Sequence, residues 1–233
     1  MNELILIVSL AVIYGGVLLA YRLFGKAGLY AFTVLSTVLA NIEVLILVKA
    51  FGIEQTLGNI LFASTYLITD ILSENEGKKQ SNRAVNIGIF TAAAMVIITQ
   101  SWYLYTPSSA DTLSPAIRTV FSSTPRLMLA SFIGFAVSQK FDVFLYHKWW
   151  EITTKRSGDS TAFLWLRNNG STLISQIINT LIFNITAFYG VYDNATLLSI
   201  IASSYIIYIV TSLADTPIVY MARHLKNKGR IPE

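Results

Sequence analysis

Long apolar runs separated by short polar breaks set the pattern of this chain. A helix that crosses a bilayer needs about 20 mostly apolar residues, because the hydrocarbon core is about 30 Å thick and a helix rises about 1.5 Å per residue. Runs at 4–21, 28–49, 55–73, 84–101, 119–146, 171–190 and 195–221 meet that length. The pattern therefore predicts an all-α integral membrane protein, a bundle of about seven transmembrane helices with no soluble domain. The first run is short and N-terminal, as in a signal peptide. Glu3 precedes it where a base is expected, and no small-x-small cleavage site lies before Arg22, so it reads as a retained helix.

The polar breaks carry a charge bias that orients the bundle. Arg22 and Lys26 follow the first run, Lys78, Lys79 and Arg83 the third, Lys148, Lys155, Arg156 and Arg167 the fifth, and Arg223, Lys226, Lys228 and Arg230 the seventh. These are 13 of the 17 bases, all in alternate connections. Short cytoplasmic loops retain Lys and Arg, so the N-terminus is expected outside and the C-terminus in the cytoplasm. Segment 147–170 is basic and amphipathic, with Trp149, Trp150 and Trp165, and is expected to lie on the inner membrane surface. Segment 105–115, rich in Ser, Thr and Pro, reads as an ordered turn or short lid.

Composition narrows the chemistry. Charged residues make up 13% of the 233 positions and hydrophobic ones 54%, where a soluble domain carries about 25% charged residues. A soluble globule and a disordered chain are both excluded. The chain has no cysteine, and His147 and His224 are its only imidazoles, so the usual zinc cages cannot form within one chain. A metal would have to be held by carboxylates alone. The net charge of +4 is distributed among loops and not gathered into a patch, which argues against nucleic acid as a partner. No Walker loop, dinucleotide-binding glycine run, HExxH or GxSxG occurs, and no cofactor is implied.

Ionisable residues at membrane depth are costly and by default mark a pathway, a binding site or a paired network. Glu43, Asp70, Arg126, Asp142 and Asp215 fall within the apolar runs. In the third run Asn59, Tyr66, Asp70 and Glu74 are spaced by 7, 4 and 4 residues, which places them on one helix face. Such a stripe must face protein or water; interhelical hydrogen bonding that merely fixes the bundle is the plainer reading. The fifth run supplies Arg126, then Gln139 and Asp142 on one face. The sixth opens with Arg167 and has a polar side of Ser175, Gln176, Asn179, Thr180 and Asn184. Asp142 and Arg167 sit at matching depth and invite an ion pair, and Arg126 is either a ligand-binding or a structural cation. In the seventh, Tyr205, Tyr208, Ser212 and Asp215 favour a common face, and Pro217 should kink the helix. In the second, Thr33, Thr37 and Asn41 share a face, whereas Glu43 lies about 200° from Asn41.

Two blocks of residues resemble the queuosine precursor transporter family, also labelled vitamin uptake transporters and related in fold to substrate-binding components of energy-coupling-factor transporters. The first is the run from Thr65 through Tyr66, Thr69, Asp70 and Glu74 to Gly77, similar to a Thr-Asp-x-x-x-Glu-x-x-Gly signature followed by bases. The second runs from Arg126 through Gln139 and Asp142 to Leu164, Trp165, Leu166, Arg167 and Asn168, then Ser171 to Gln176. Tyr205 with Thr216 and Pro217 is a weaker third match. The resemblance covers roughly 28–222. It divides the single transmembrane domain into an additional N-terminal helix at 1–27, a six-helix transporter core at 28–222 and a basic cytoplasmic tail at 223–233. The chain departs from the family at Asn179, where Asp is frequent, at Tyr208, where Lys is, and near Ser212, where an acid is. These changes remove charge from the expected cavity.

The resemblance implies a multi-pass importer in the cytoplasmic (inner) membrane for a 7-deazaguanine, either a queuosine precursor or the queuine base. It would work by alternating access and supply tRNA modification by salvage. A flat nucleobase-like substrate offers adjacent donors to a carboxylate, an acceptor to an amide, and faces for stacking. The implied substrate-binding set is Asn41, Asn59, Tyr66, Asp70, Glu74, Arg126, Gln139, Asp142, Gln176, Asn179 and Tyr205. Asp70 or Glu74 would take the guanine-like edge and Gln139, Gln176 and Asn179 would act as selecting amides. The chain could act alone or as a homo-oligomer, or with energy-coupling partner subunits, since it carries no ATP motif. An alternative is an intramembrane enzyme that uses an Asp70 and Asp215 carboxylate pair. A purely structural membrane protein, with tightly paired polar stripes and no cavity, is the third reading.

Overall fold

The computed structural model describes residues 1–122 and 125–232. Helices α1 (Asn2–Glu43), α2 (Gly58–Asn75), α3 (Lys78–Ser101), α4 (Ser114–Ser122), α5 (Pro125–Ser157), α6 (Leu164–Phe188) and α7 (Asn194–Asn227) account for nearly all of it. Strands β1 (Leu47–Ala50) and β2 (Ile53–Thr56) form one antiparallel hairpin. Among the described residues five helices are long and apolar enough to cross a membrane: Asn2–Glu43, Lys78–Leu104, Arg126–Ser157, Leu164–Phe188 and Asn194–Asn227. The surface is that of a protein in lipid. Leu4, Ile7, Val12, Phe90, Ile97 and Leu213 are all more than half exposed, while Asp70, Gln139, Asp142 and Arg167 are fully buried.

Helix α1 joins the first two expected spans and breaks at Gly25 (φ 58, ψ −144), a conformation open essentially to glycine alone. The Pro232 carbonyl packs where a Cβ on Gly25 would stand, so the C-terminal tail folds back onto the break. Ile231 enters the same core cluster as Tyr14, Val17, Tyr21, Leu29 and Leu72.

At the centre runs α2, with 15 of its 18 residues buried and α1, α3, α5 and α7 packed around it. Because neighbours shield it from lipid, α2 can carry Asn59, Ser64, Thr65, Thr69 and Asp70 buried along its length. The hydroxyls of Ser64, Thr65 and Thr69 return to carbonyls three residues back within the helix, at 2.6 to 2.9 Å, and so are satisfied without water. Its first residue, Gly58, lets it approach α1 closely: a Cβ there would lie 2.6 Å from the Ala40 carbonyl oxygen. Along the rest of the chain α5 packs on α6, and α6 on α7.

Several expected boundaries are corrected. The second span ends at Glu43 and not at residue 49, and the third starts at Gly58 and not at 55, because the intervening residues form the hairpin. Its two-residue turn, Phe51-Gly52, has positive φ at both positions (52° and 76°), the geometry that matches strand twist. Glu43 is thus a helix-terminal residue and not a mid-span one. Lys78, Lys79 and Arg83 lie in the opening turns of α3 and not in a loop. Segment 147–170 is divided between two helices, since α5 continues to Ser157 and α6 begins at Leu164. Trp150 is held there by Arg167, whose guanidinium lies 4.2 Å over its ring. The fifth expected span crosses 123–124, outside the described residues. Pro217 is carried within α7 without a break.

Candidate functional site

The hairpin, the start of α2 and the adjoining ends of α5, α6 and α7 enclose a cavity of about 620 Å³. Its rim includes the exposed Gly52, Tyr192 and Thr196; its inner wall includes the buried Asn59, Asn179, Thr180 and Tyr208, so it opens at the hairpin end. Cavities of about 300–1,000 Å³ with convergent polar groups are typical of small-ligand sites. Asn59 Oδ1 accepts from Tyr208 (3.1 Å) and from Thr56 (3.2 Å), which leaves its amide Nδ2 to donate to a ligand. Asn179 comes from the facing helix α6. Phe62 underlies the cavity in edge contact with Tyr66 (5.7 Å) and Phe135 (6.0 Å) and tilted contact with Tyr208 (6.1 Å). This aromatic group separates the cavity from the polar interior below.

Beneath it, side chains of α2 meet those of α5 and α6. Tyr66 donates to Ser138 Oγ (2.7 Å), and Gln139 Nε2 donates to Thr65 Oγ1 (2.7 Å). Thr172 donates to Asp70 Oδ2 (3.1 Å), and Asn168 Nδ2 to Asp215 Oδ1 (2.7 Å). Asp142 lies beside the hydroxyls of Ser171, Thr172 and Ser175, yet neither of its oxygens meets a donor in hydrogen-bonding geometry.

The opposite end, where the bases gather, is closed. Arg167 binds Glu74 with two parallel bonds (Nε to Oε2, 2.9 Å; Nη2 to Oε1, 2.7 Å), and Tyr146 donates to the same carboxylate (2.7 Å). Arg223 adds a second cation at 3.4 Å. Two residues on, Glu76 accepts from Tyr21 (2.8 Å) and Lys226 (2.7 Å). These contacts tie α1, α2, α5, α6 and α7 together at the basic end.

The expected site residues therefore separate into four groups. Asn59 and Asn179 line the cavity. Tyr66, Gln139, Asp70, Asp142 and Gln176 lie beneath it, all at most 1% exposed. Glu74 belongs to the closure, where Arg167 occupies it; Arg167 accordingly pairs with Glu74 and not with Asp142. Asn41, Arg126 and Tyr205 are not part of the cavity lining. Asn41 donates to the Thr37 carbonyl of its own helix, and Tyr205 reaches the Leu173 carbonyl at 3.4 Å. Arg126 donates to the carbonyls of Thr186 and Tyr189, both at 2.6 Å, and so caps the end of α6, whose last carbonyls lack helical partners. Asn184 donates to the Thr180 carbonyl of its own helix.

Sequence reasoning missed Phe62, Ser131, Ser203, Ser204 and the hairpin residues Glu54 and Gln55, all of which line the cavity. The pair Gly52 and Gly58 around a short polar stretch is the one signal that could have marked the hairpin. The carboxylates of the proposed enzyme pair are held by different partners, Asp70 by Thr172 and Asp215 by Asn168.

Residues 56–222 match a family model described as "Putative vitamin uptake transporter". The chain is also 37% identical over 209 residues to the "Probable queuosine precursor transporter" of Bacillus subtilis (strain 168), which covers 90% of this chain and 89% of that protein. No solved structure matches the chain. The family match begins at the end of the hairpin, so α1 lies outside it. With the matched segment carrying α2 to α7, and apolar helices surrounding a polar interior, the chain belongs to the vitamin uptake transporter family and is a multi-pass membrane transporter.

Proposed function

We propose that the chain imports a queuosine precursor or a related 7-deazaguanine base across the cytoplasmic membrane by alternating access. The observation that carries this reading is a polar and aromatic cavity open at the hairpin end, above a closure of buried ion pairs at the basic end. That is an outward-facing state if the hairpin is outside and the basic tail inside, the orientation that the Lys and Arg distribution supports. The name of the Bacillus subtilis relative supports the substrate. So does the cavity chemistry: the Asn59 amide can donate to a guanine-like edge, the Asn179 amide can donate to and accept from it, and Phe62 and Tyr208 supply aromatic faces. Import would require the α2 to α6 and α7 contacts around Glu74 to part while the hairpin end closes, which is a rocking of helices about a central site.

Salvage tests the reading directly. A strain unable to make queuosine precursors is supplied with them in the medium, with and without this protein, and tRNA modification is measured. Modified tRNA only in the presence of the protein is the expected result. Unmodified tRNA despite good expression in the membrane would overturn the assignment.

A further inference from the structure

Asp70 of α2, Asp142 of α5 and Asp215 of α7 are each at most 1% exposed, and they lie within electrostatic reach of one another. Three helices thus deliver three carboxylates to one buried level, between the cavity and the closure. Their supply of donors is unequal. Asp215 has Asn168 and Asp70 has Thr172, but Asp70 Oδ1 and both oxygens of Asp142 meet none. On the adjoining face of α6, Ser175 Oγ and Gln176 Oε1 are likewise buried without a partner.

The surrounding charges do not neutralise the group. Arg167, the nearest cation on α6, is held by both oxygens of Glu74 and by the Ala162 carbonyl, and Arg223 of α7 is turned to Glu74 and the Thr161 carbonyl. From α1 the cluster is faced by Tyr14, from α2 by Tyr66 and Glu74, and from α5 by Tyr146. Helix α3 reaches this level through Ser81, which donates to the Thr69 carbonyl. None of these adds a positive charge. An ionised carboxylate in a dry interior costs several kcal/mol unless it is paired or fully hydrogen-bonded, and neighbouring carboxylates cannot all ionise together. A protonated carboxyl, in contrast, becomes a donor, and Gln176 Oε1, Ser175 Oγ and a neighbouring carboxylate are acceptors at hand.

We infer that Asp70, Asp142 and Asp215 form a proton-binding site that couples substrate import to proton entry. A carboxylate of the cluster takes a proton from hydronium in the cavity while the hairpin end is open, and the neutralised cluster allows the helices to rock. The proton is released to water at the basic end once the Glu74 and Arg167 closure has parted. The route from the cavity is the α6 face of Thr180, Gln176 and Thr172, four residues apart in succession and ending at Asp70. The coupling rests on the transport reading given above; the binding of the proton does not.

The test uses the full chain in liposomes loaded with a pH-sensitive dye, with labelled aminomethyl- or cyano-7-deazaguanine outside. Uptake should acidify the interior, and an inward proton gradient should drive accumulation above the outside concentration with sodium absent. Asp215→Asn should still exchange labelled for unlabelled substrate at equilibrium, but should neither accumulate it nor acidify the interior. Accumulation driven by sodium alone, or by a proton gradient in that variant, would overturn the proposal. If the unmodified protein exchanges neither compound, the substrate reading fails and the cluster is judged by infrared difference spectra on acidification. A carboxylic C=O band lost in Asp142→Asn or Asp215→Asn supports it; an unchanged band in both overturns it. Where one variant does not fold, Asp142→Glu, which keeps a titratable group, should retain coupling.

Discussion

Asp70 and Glu74 are one helical turn apart and chemically alike, yet their neighbours give them different work. Periodicity places both on one face of α2, and that face does meet α5 and α6. Which groups await them there depends on α6, about a hundred residues later in the chain. Glu74 meets Arg167 and is consumed by it; Asp70 meets only the Thr172 hydroxyl. Glu74→Gln should therefore leave a buried guanidinium without its counter-ion and cost roughly 3–5 kcal/mol of stability, read as a fall in unfolding temperature of the purified protein. Asn179→Ala should behave differently. Its effect falls on ligand affinity, weakened by about 1–3 kcal/mol for the lost polar contact, with little change in the unliganded protein. Thermal shift with and without precursor separates the two outcomes. Equal losses in both states would remove Asn179 from the binding site. Arg126 shows the limit of reading depth alone, since a guanidinium within an apolar run can be satisfied by the carbonyls of a helix end without meeting any ligand.

Among the elements, the helices were legible because long apolar runs have few other outcomes, and the interruptions were legible less well. The run at 28–49 looks continuous in hydropathy, but its last residues are β-branched or otherwise apolar in a way that serves a strand as well as a helix, and the Phe51-Gly52 turn decides for the hairpin. The break in α1 has its own test. Gly25→Ala should destabilise the fold by roughly 1–3 kcal/mol through backbone strain, and by more because the new methyl meets the Pro232 carbonyl; chemical unfolding measures the sum. At the start of α7, Asp193 accepts from the backbone N–H groups of Ala195 and Thr196, both at 3.0 Å. Those bonds and that from the Thr196 hydroxyl hold its carboxyl below the usual carboxylate range. Its contribution is therefore present above that range and is lost as pH falls through it. Hydrogen exchange at Ala195 to Leu197 should accelerate on acidification. In Asp193→Ala it should be fast already at neutral pH.

For the whole molecule, the absence of cysteine makes accessibility directly measurable. A single Ser203→Cys change places a thiol in the cavity, and an impermeant maleimide added on the outer side should label it, more slowly when precursor is present. Thr172→Cys, fully below the aromatic floor, should resist the reagent from that side. Adding Glu74→Gln should raise its labelling from the basic side if the ion pairs are what closes that end. Labelling of Ser203→Cys from the cytoplasmic side alone would reverse the proposed orientation.

The order of apolar runs, the bias of bases to alternate connections and the two ordered blocks of polar residues were enough to determine an all-α membrane transporter of this family. These are local or one-dimensional properties: bilayer thickness sets the length of a run, and helical period sets which residues share a face. The tertiary structure alone decided that the cavity lies at the hairpin end, that Glu74 and Arg167 seal the other, and that Asp70, Asp142 and Asp215 converge. Buried polar groups are assigned their roles by the partner that reaches them, and for Asp70, Glu74, Gln139 and Asp215 that partner comes from another helix, at a distance along the chain that no periodicity encodes.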